Sequence, residues 1–181
     1  GSGEDVFVWF SRVIDANSGK VVSFFEPKCT QNVLNDIWTE KCYVDTNNAV
    51  IRKSKLLEIG GWDEFCPSME EWDLHIRLVE IARYLTIPMV LVDYYTGRLD
   101  SISTNLRKGV ECRLYLLKKL KKGWLKHQEA GLLNYLEVIT IVRRIDSVCY
   151  QLKTYIRLLV TAPQLSILFG KRKLKKMINA K

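Results

Sequence analysis

The first part of the chain alternates between short apolar runs and polar turns. β-Branched and aromatic residues fill 6–14 and 21–25, and the turn-forming residues 16–20 separate them. This pattern predicts a β-hairpin. Apolar residues at helical spacing predict a helix over 30–38, and the short apolar run within 48–52 predicts a further strand.

Two more helices and a strand complete this part of the chain. A helix is predicted over 55–59, after Ser54 as N-cap and before two glycines. Ser68 and Glu71 have the spacing of a capping box, which predicts a helix from about 69 to 83. Residues 87–95 predict a strand whose proline near the start indicates an edge there. The predicted order is therefore β-β-α-β-α-α-β.

From residue 105 onwards the pattern is helical. An amphipathic helix is predicted over 105–122, and another follows Pro163. Between them, about 128–160 is predicted to be helical, with or without an interruption, and is apolar on more than one face. We therefore expect an α/β fold, a short mixed sheet with a few helices, followed by an all-helical C-terminal extension. The predicted domains are 4–104 and 105–181, and residues 1–3 have the composition of a tag remnant.

The charge of the chain divides at the same place. The whole sequence has a formal net charge of +8, yet residues 1–104 hold 10 basic and 16 acidic side chains, whereas residues 105–181 hold 18 basic and 4 acidic ones. Two explanations of the basic extension stay open, an anionic membrane surface and a helical bundle with a lysine-rich solvated face, and self-association through the apolar 132–160 is compatible with either. Nucleic acid is disfavoured, because no recognition motif accompanies the charge.

The cysteines and the hydropathy bear on the compartment. There are five cysteines, an odd number without a Cys-x-x-Cys pair, which favours reduced thiols over a disulfide framework or a zinc site. No stretch of about 20 residues is free of charge, so no transmembrane helix is expected. We expect a cytoplasmic protein, with a peripheral position on the inner membrane face as an open alternative.

The densest cluster of unusual residues is 47–78, with the sequence NNAVIRKSKLLEIGGWDEFCPSMEEWDLHIRL. A strand ending in Arg, a Gly-Gly-aromatic-Asp-Glu loop and an acidic Trp-Asp-Leu helix follow one another there. The cluster resembles family 2 glycosyltransferases, which are inverting enzymes of the GT-A fold, and the resemblance extends over about 5–105. The matched residues are Asn48, Ile51, Arg52, Leu56 or Leu57, Gly60, Gly61, Trp62, Asp63, Glu64, Glu70, Glu71, Trp72, Asp73, Leu74, Arg77 and Leu78.

The resemblance implies a catalytic base in the acidic pair. An inverting transfer needs one carboxylate to take the proton of the acceptor hydroxyl as its oxygen attacks the anomeric carbon. In the family the second acid acts as base, which here is Glu71, and Glu70 stays an alternative because Glu71 is one methylene longer than the usual Asp. The non-catalytic explanation is that both acids merely stabilise the N-terminus of the helix.

Further residues near the pair are candidates for binding. The resemblance implies acceptor contacts at Trp62, Asp63, Trp72 and Asn48. For Trp72 the alternative is core packing, and for Asp63 it is capping of the local turn. Asp73 and Arg77 have the spacing of an ion pair within a helix. Arg98 and Ser101 are candidates for contacting the donor diphosphate.

The motif for metal-bound diphosphate is not present, because the sequence contains no Asp-x-Asp. Glu71 and Asp73 have the spacing but point about 200° apart on a helix. We therefore expect the acceptor-side part of a glycosyltransferase, inactive by itself. A divalent metal, Mg or Mn, would be bound in the intact enzyme, and none is expected on this chain. The nucleotide sugar is expected to bind only when the N-terminal half of a glycosyltransferase domain is also present. The alternative is a non-catalytic membrane- or partner-binding module with a glycosyltransferase-like shell.

Overall fold

The computed structural model describes residues 3–27, 29–66, 68–97 and 105–178, with side chains of the last segment described as far as residue 172. Two compact units are present, one formed by Gly1–Phe65 with Met69–Thr104 and the other by Cys66–Ser68 with Asn105–Lys181. The elements, in chain order, are β1 (Val6–Asp15), β2 (Val21–Phe25), α1 (Val33–Trp38), β3 (Ala49–Ile51), α2 (Lys53–Glu58), α3 (Glu70–Leu78), β4 (Tyr84–Thr96), α4 (Leu106–Lys119), α5 (Lys121–Lys126), α6 (Gln128–Arg143), α7 (Val148–Thr161) and α8 (Pro163–Ile178).

The central strand of the first unit is β1. It pairs antiparallel with β2 near its C-terminal end and with β3 near its N-terminal end, and parallel with β4 along its whole length. One edge of β1 is occupied by β4. The other edge of β1 is therefore shared by β2 and β3. The described residues thus form a mixed four-stranded sheet, and the predicted α/β fold class and order of elements are confirmed.

The parallel pair β1–β4 is irregular at its middle. β4 has 13 residues and β1 has 10. The register shifts on both sides of Phe10, so that Trp9 pairs with Ile87, Phe10 with Val90 and Ser11 with Val92. Pro88 lies within the first shift, where a residue without an amide hydrogen is tolerated. The strand therefore begins before the proline rather than near it.

The helices of the first unit are packed against each other through one tryptophan. The indole Nε1 of Trp72, in α3, donates to the backbone oxygen of Ile37, in α1, over 2.9 Å. α3 ends at Leu78, earlier than predicted, because the backbone of Arg83 is already bonded to Asp5 and Val6 at the start of the sheet. The buried apolar residues of this unit include Val6, Val8, Ile37, Trp38, Val44, Trp72, Leu74, Ile76 and Leu78.

The second unit is helical. The span 128–160, predicted to be helical with or without an interruption, is interrupted. α6 ends at Arg143, and Ser147 caps the N-terminus of α7 by accepting from the amide of Tyr150. Trp124 is buried and donates to the backbone oxygen of Leu116 over 2.8 Å. No helix in the described part of the chain is long and apolar enough to cross a bilayer.

A disulfide joins Cys29 and Cys42, so the prediction that all cysteines are reduced is wrong for this pair. The segments before and after α1 turn back towards each other and bring the two Cα atoms to 5.2 Å. A separation of 13 residues in sequence gives no sign of that proximity. Cys66, Cys112 and Cys149 are not joined in disulfides. The cytoplasmic location stays a prediction.

Candidate active site

The glycine pair and the acidic helix are joined by one arginine. Gly60 and Gly61 have positive φ angles of 79° and 72°, and their amides bond back to the last turn of α2, which ends the helix as predicted. Arg77, in α3, donates to the backbone oxygen of Ile59 over 2.8 Å. The same side chain donates through Nε and Nη2 to Asp73 over 2.9 and 2.7 Å. The predicted pair of Asp73 and Arg77 is thus confirmed, and it also fixes the glycine turn.

The N-terminus of α3 differs from the predicted capping box. The helix begins at Glu70, its N-cap is Met69 with a left-handed φ of 56°, and no side chain caps it. The hydroxyl of Ser68 donates instead to the backbone oxygen of Lys108 over 3.4 Å. The predicted capping box is therefore wrong, and the Glu71 carboxylate accepts instead from the first-turn amide of Glu71 itself.

Glu71 is partly buried, and its Oε1 accepts a hydrogen bond from the phenol hydroxyl of Tyr43. Glu70, by contrast, has an exposed side chain. Sequence reasoning missed Tyr43, because it lies 28 residues before Glu71 in an irregular segment that matches no part of the family pattern. Its position between two apolar residues, Cys42 and Val44, was the only signal that its side chain is placed by its neighbours.

The surroundings of Glu71 disfavour its charged form. Burial raises the pKa of its carboxyl above the ordinary value, and the charges of Glu70 and Asp45 raise this pKa further. The hydrogen bonds from Tyr43 and from the backbone of Glu71 lower the pKa and offset only part of that effect. A carboxylate with a raised pKa in a partly buried position is a stronger base than an exposed one.

Two of the predicted acceptor contacts are buried inside the first unit. Trp72 is 2% exposed, so its ring faces the core, and the expectation that it stacks on a sugar does not fit. Asn48 is 0% exposed, and its Oδ1 accepts from the amide of Asp45 over 2.8 Å. Both residues act as structural supports, Trp72 between α3 and α1 and Asn48 within the loop that precedes β3.

The loop between α2 and α3 presents aromatic rings to solvent. Trp62 is exposed, as an acceptor platform requires, and Phe65 is 84% exposed. Asp63 holds this loop by accepting from the amide of Phe65 over 3.0 Å, which is the turn-capping alternative. Phe65 was not singled out from the sequence, although its position between two acidic motif residues and a cysteine places it in the loop.

Of the remaining predicted residues, His75 lies within the described part of the chain, and Arg98 and Ser101 do not. His75, predicted to be structural, is buried, and its Nδ1 lies 2.8 Å from the hydroxyl of Tyr84. Burial lowers the pKa of His75 to about 4, so its ring is neutral at physiological pH. Arg98 and Ser101, the candidates for the diphosphate, lie outside the described residues.

A divalent metal does not fit the carboxylates of this region. Glu71 is engaged with Tyr43, and Asp73 is engaged with Arg77. Within the described ranges no group of three or more His, Cys, Asp or Glu side chains is placed to hold a metal ion. We therefore derive no chemical step through a metal from the residues of this chain.

The mixed sheet, the glycine turn and the acidic start of α3 belong to one α/β domain. The family model described as glycosyltransferase like family 2 matches residues 9–119, which is more than half of the 181-residue chain. The chain therefore belongs to glycosyltransferase-like family 2. Comparison with curated proteins found no match.

Proposed function

We propose that the chain carries the acceptor-binding, base-bearing part of an inverting glycosyltransferase, with Glu71 as base. The observation that supports this most is the partly buried Glu71 carboxylate at the first turn of α3, in a chain that belongs to this family. Glu70 is the weaker candidate, because its side chain is exposed. Trp62 and Asp63 stay proposed acceptor contacts, and Phe65 joins them.

In the proposed reaction the acceptor is a hydroxyl of a glycan or of a lipid-linked acceptor. Its oxygen forms a bond to the anomeric carbon of a nucleotide diphosphate sugar while the O–H bond breaks and the proton passes to Glu71. The bond from the anomeric carbon to the diphosphate breaks, and its electron pair leaves with the diphosphate. One displacement of this kind inverts the anomeric configuration. We propose that the donor is bound by residues outside those described here.

The test of the base compares three variants of the natural protein that carries this sequence. Glu71→Gln is expected to lower the transfer rate by about 10²–10⁴-fold with the fold intact, as is typical for loss of a general base. Glu70→Gln is the matched control and should change the rate by less than about tenfold. Glu71→Asp restores a carboxylate and should recover part of the activity. Equal loss in both glutamine variants, or loss in Glu70→Gln alone, contradicts the assignment.

The placement of the donor site has a separate test. Calorimetry of the 181-residue chain with a panel of nucleotide sugars should show no binding tighter than the millimolar range. Micromolar binding would place the donor site within this chain and overturn that part of the proposal.

We also propose that the helical unit contacts an anionic membrane surface, as a second and independent function. Four apolar side chains recur along one face of α7 and are each 59% to 77% exposed: Val148, Leu152, Ile156 and Val160. The opposite face of the same helix is buried through Thr154 and Leu158. An exposed apolar stripe on a segment with 18 basic and 4 acidic residues suits a bilayer with anionic headgroups.

Vesicle cosedimentation of the whole chain tests this second proposal. Binding should occur with vesicles containing anionic phospholipid, should weaken as salt increases, and should be much lower with purely zwitterionic vesicles. The double variant Leu152→Asp/Ile156→Asp should lose binding, whereas Gln128→Asp/Gln164→Asp, with the same change in charge at exposed polar positions, should keep most of it. If light scattering instead shows a dimer that the first variant dissociates, and vesicles are not bound, self-association replaces the membrane proposal.

A further inference from the structure

Tyr43 is held in place by its neighbours in the chain. Cys42 and Val44 on either side are buried, and Cys42 is linked through the disulfide to Cys29. Tyr43 itself is only partly buried, so its ring lies at the edge of this packed segment. The ring of Phe25 meets that of Tyr43 edge to face, with 6.2 Å between the ring centroids. The phenol therefore has little freedom to leave its position.

The helix that carries Glu71 is anchored to the segment that carries Tyr43. Trp72 follows Glu71 directly, and its indole bonds to Ile37 in α1. The amide of Cys42 bonds to the backbone oxygen of Asp36 in the same helix, over 3.0 Å. Both partners of the Tyr43–Glu71 hydrogen bond are thus fixed to α1 by a neighbouring residue.

We propose that Tyr43 is a positioning residue for Glu71: by donating to Oε1 it holds the carboxylate in one orientation and leaves the other oxygen to take the acceptor proton. This inference rests on the proposed role of Glu71 as base. Tyr43 itself transfers no proton in this scheme. It acts on the reaction only through the carboxylate that it holds.

The charges around the pair agree with this role. Burial and the charge of Glu71 raise the pKa of Tyr43, so its hydroxyl stays a neutral donor. Asp45 and Glu40 also raise the pKa of Tyr43, and Glu70 and Asp45 raise that of Glu71. In these acidic surroundings the hydrogen bond from Tyr43 favours the charged form of Glu71, since donation to a carboxylate stabilises it.

The inference is tested by measuring the pKa of Glu71 directly, by carbon-detected NMR titration of the side-chain carboxyl in the 181-residue chain. Tyr43→Phe keeps the ring and removes the hydroxyl, and the pKa of Glu71 should rise by about one unit or more, because a hydrogen bond to a charged group is lost. Tyr84→Phe is the matched control, since it removes another buried hydroxyl, the one bonded to His75. The control should leave the pKa of Glu71 unchanged.

An unchanged pKa of Glu71 in Tyr43→Phe, with spectra that show an intact fold, would overturn the inference. If this variant does not fold, Phe25→Leu provides the second measurement, because it loosens the ring of Tyr43 and should move the same pKa in the same direction by a smaller amount. The NMR titration does not depend on catalytic activity, so it separates this inference from the proposed function. If the pKa of Glu71 shifts in Tyr43→Phe but Glu71→Gln transfers sugar at the normal rate, the proposed base is disproved and the Tyr43–Glu71 interaction is retained. In the active protein, the acid limb of the pH–rate profile should move upward in Tyr43→Phe.

Discussion

The pair of Asp73 and Arg77 allows the sharpest stability prediction. The Asp73 side chain is 0% exposed and that of Arg77 is 20% exposed. Arg77→Met keeps a long apolar side chain but removes the guanidinium from Asp73 and from the backbone oxygen of Ile59. Removal of one partner of a buried pair costs about 3–5 kcal/mol in free energy of unfolding. Asp73→Leu should cost less, about 2–3 kcal/mol, because Arg77 keeps Ile59 and reaches solvent.

The measurement combines urea unfolding, followed by tryptophan fluorescence and circular dichroism, with amide hydrogen exchange at Leu74 and Ile76 in α3. The double variant Asp73→Leu/Arg77→Met should be less destabilised than the sum of the two single variants, since no unpaired charge remains. Lys55→Met is the matched control, because it removes the exposed pair with Glu58 and should cost less than about 1 kcal/mol. Additive single effects, or a cost for Arg77→Met no larger than that of the control, would refute this reasoning.

Two further predictions concern a buried histidine and a surface ion pair. His75 has a pKa of about 4 in the fold against an ordinary value of 6.5, so its neutral form contributes stability above pH 6.5 that is lost as the pH falls toward 4. When the free energy of unfolding is measured as a function of pH, this group should lower it by about 3 kcal/mol as the pH falls from 6.5 toward 4. His75→Gln should reduce this dependence on pH, and an unchanged dependence in that variant would contradict the prediction. Arg157 bonds to Glu111 and lowers the pKa of that carboxyl, but both side chains are partly exposed. Arg157→Ala should therefore cost no more than about 1 kcal/mol in urea unfolding, and a larger loss would mean that the pair is shielded from solvent.

The order of elements could be predicted because each one has a local signal. The turn residues between β1 and β2, the glycines after α2 and the apolar spacing of the last helices all act within a few residues. The ends of elements depended on distant partners and were predicted less well. α3 is the clearest case, because it ends at Leu78, before Arg83, and the backbone of Arg83 is bonded to Asp5, a residue far away in the sequence.

Residues of the candidate site could be predicted only where their role depends on neighbours within the same sequence motif. Glu71 and the Asp73–Arg77 pair lie within one helix, so their spacing was informative. Trp72 matched the motif equally well, yet its burial against Ile37 depends on tertiary packing. Tyr43 and the Cys29–Cys42 disulfide were missed for the same reason, since both are defined by how the segments around α1 fold back.

The irregular middle of the β1–β4 pair also has a consequence for how the length of the chain can vary. The two register shifts absorb the three residues by which β4 exceeds β1, and regular pairing resumes from Ser11 with Val92. A one-residue deletion or insertion between Pro88 and Leu91 can therefore be taken up by reshaping the bulge. The same change beyond Val92 would turn every later side chain of β4 to the opposite face and separate Arg12 from Asp93. Length variation among natural relatives should accordingly collect at the bulge and be rare in the strand that follows it.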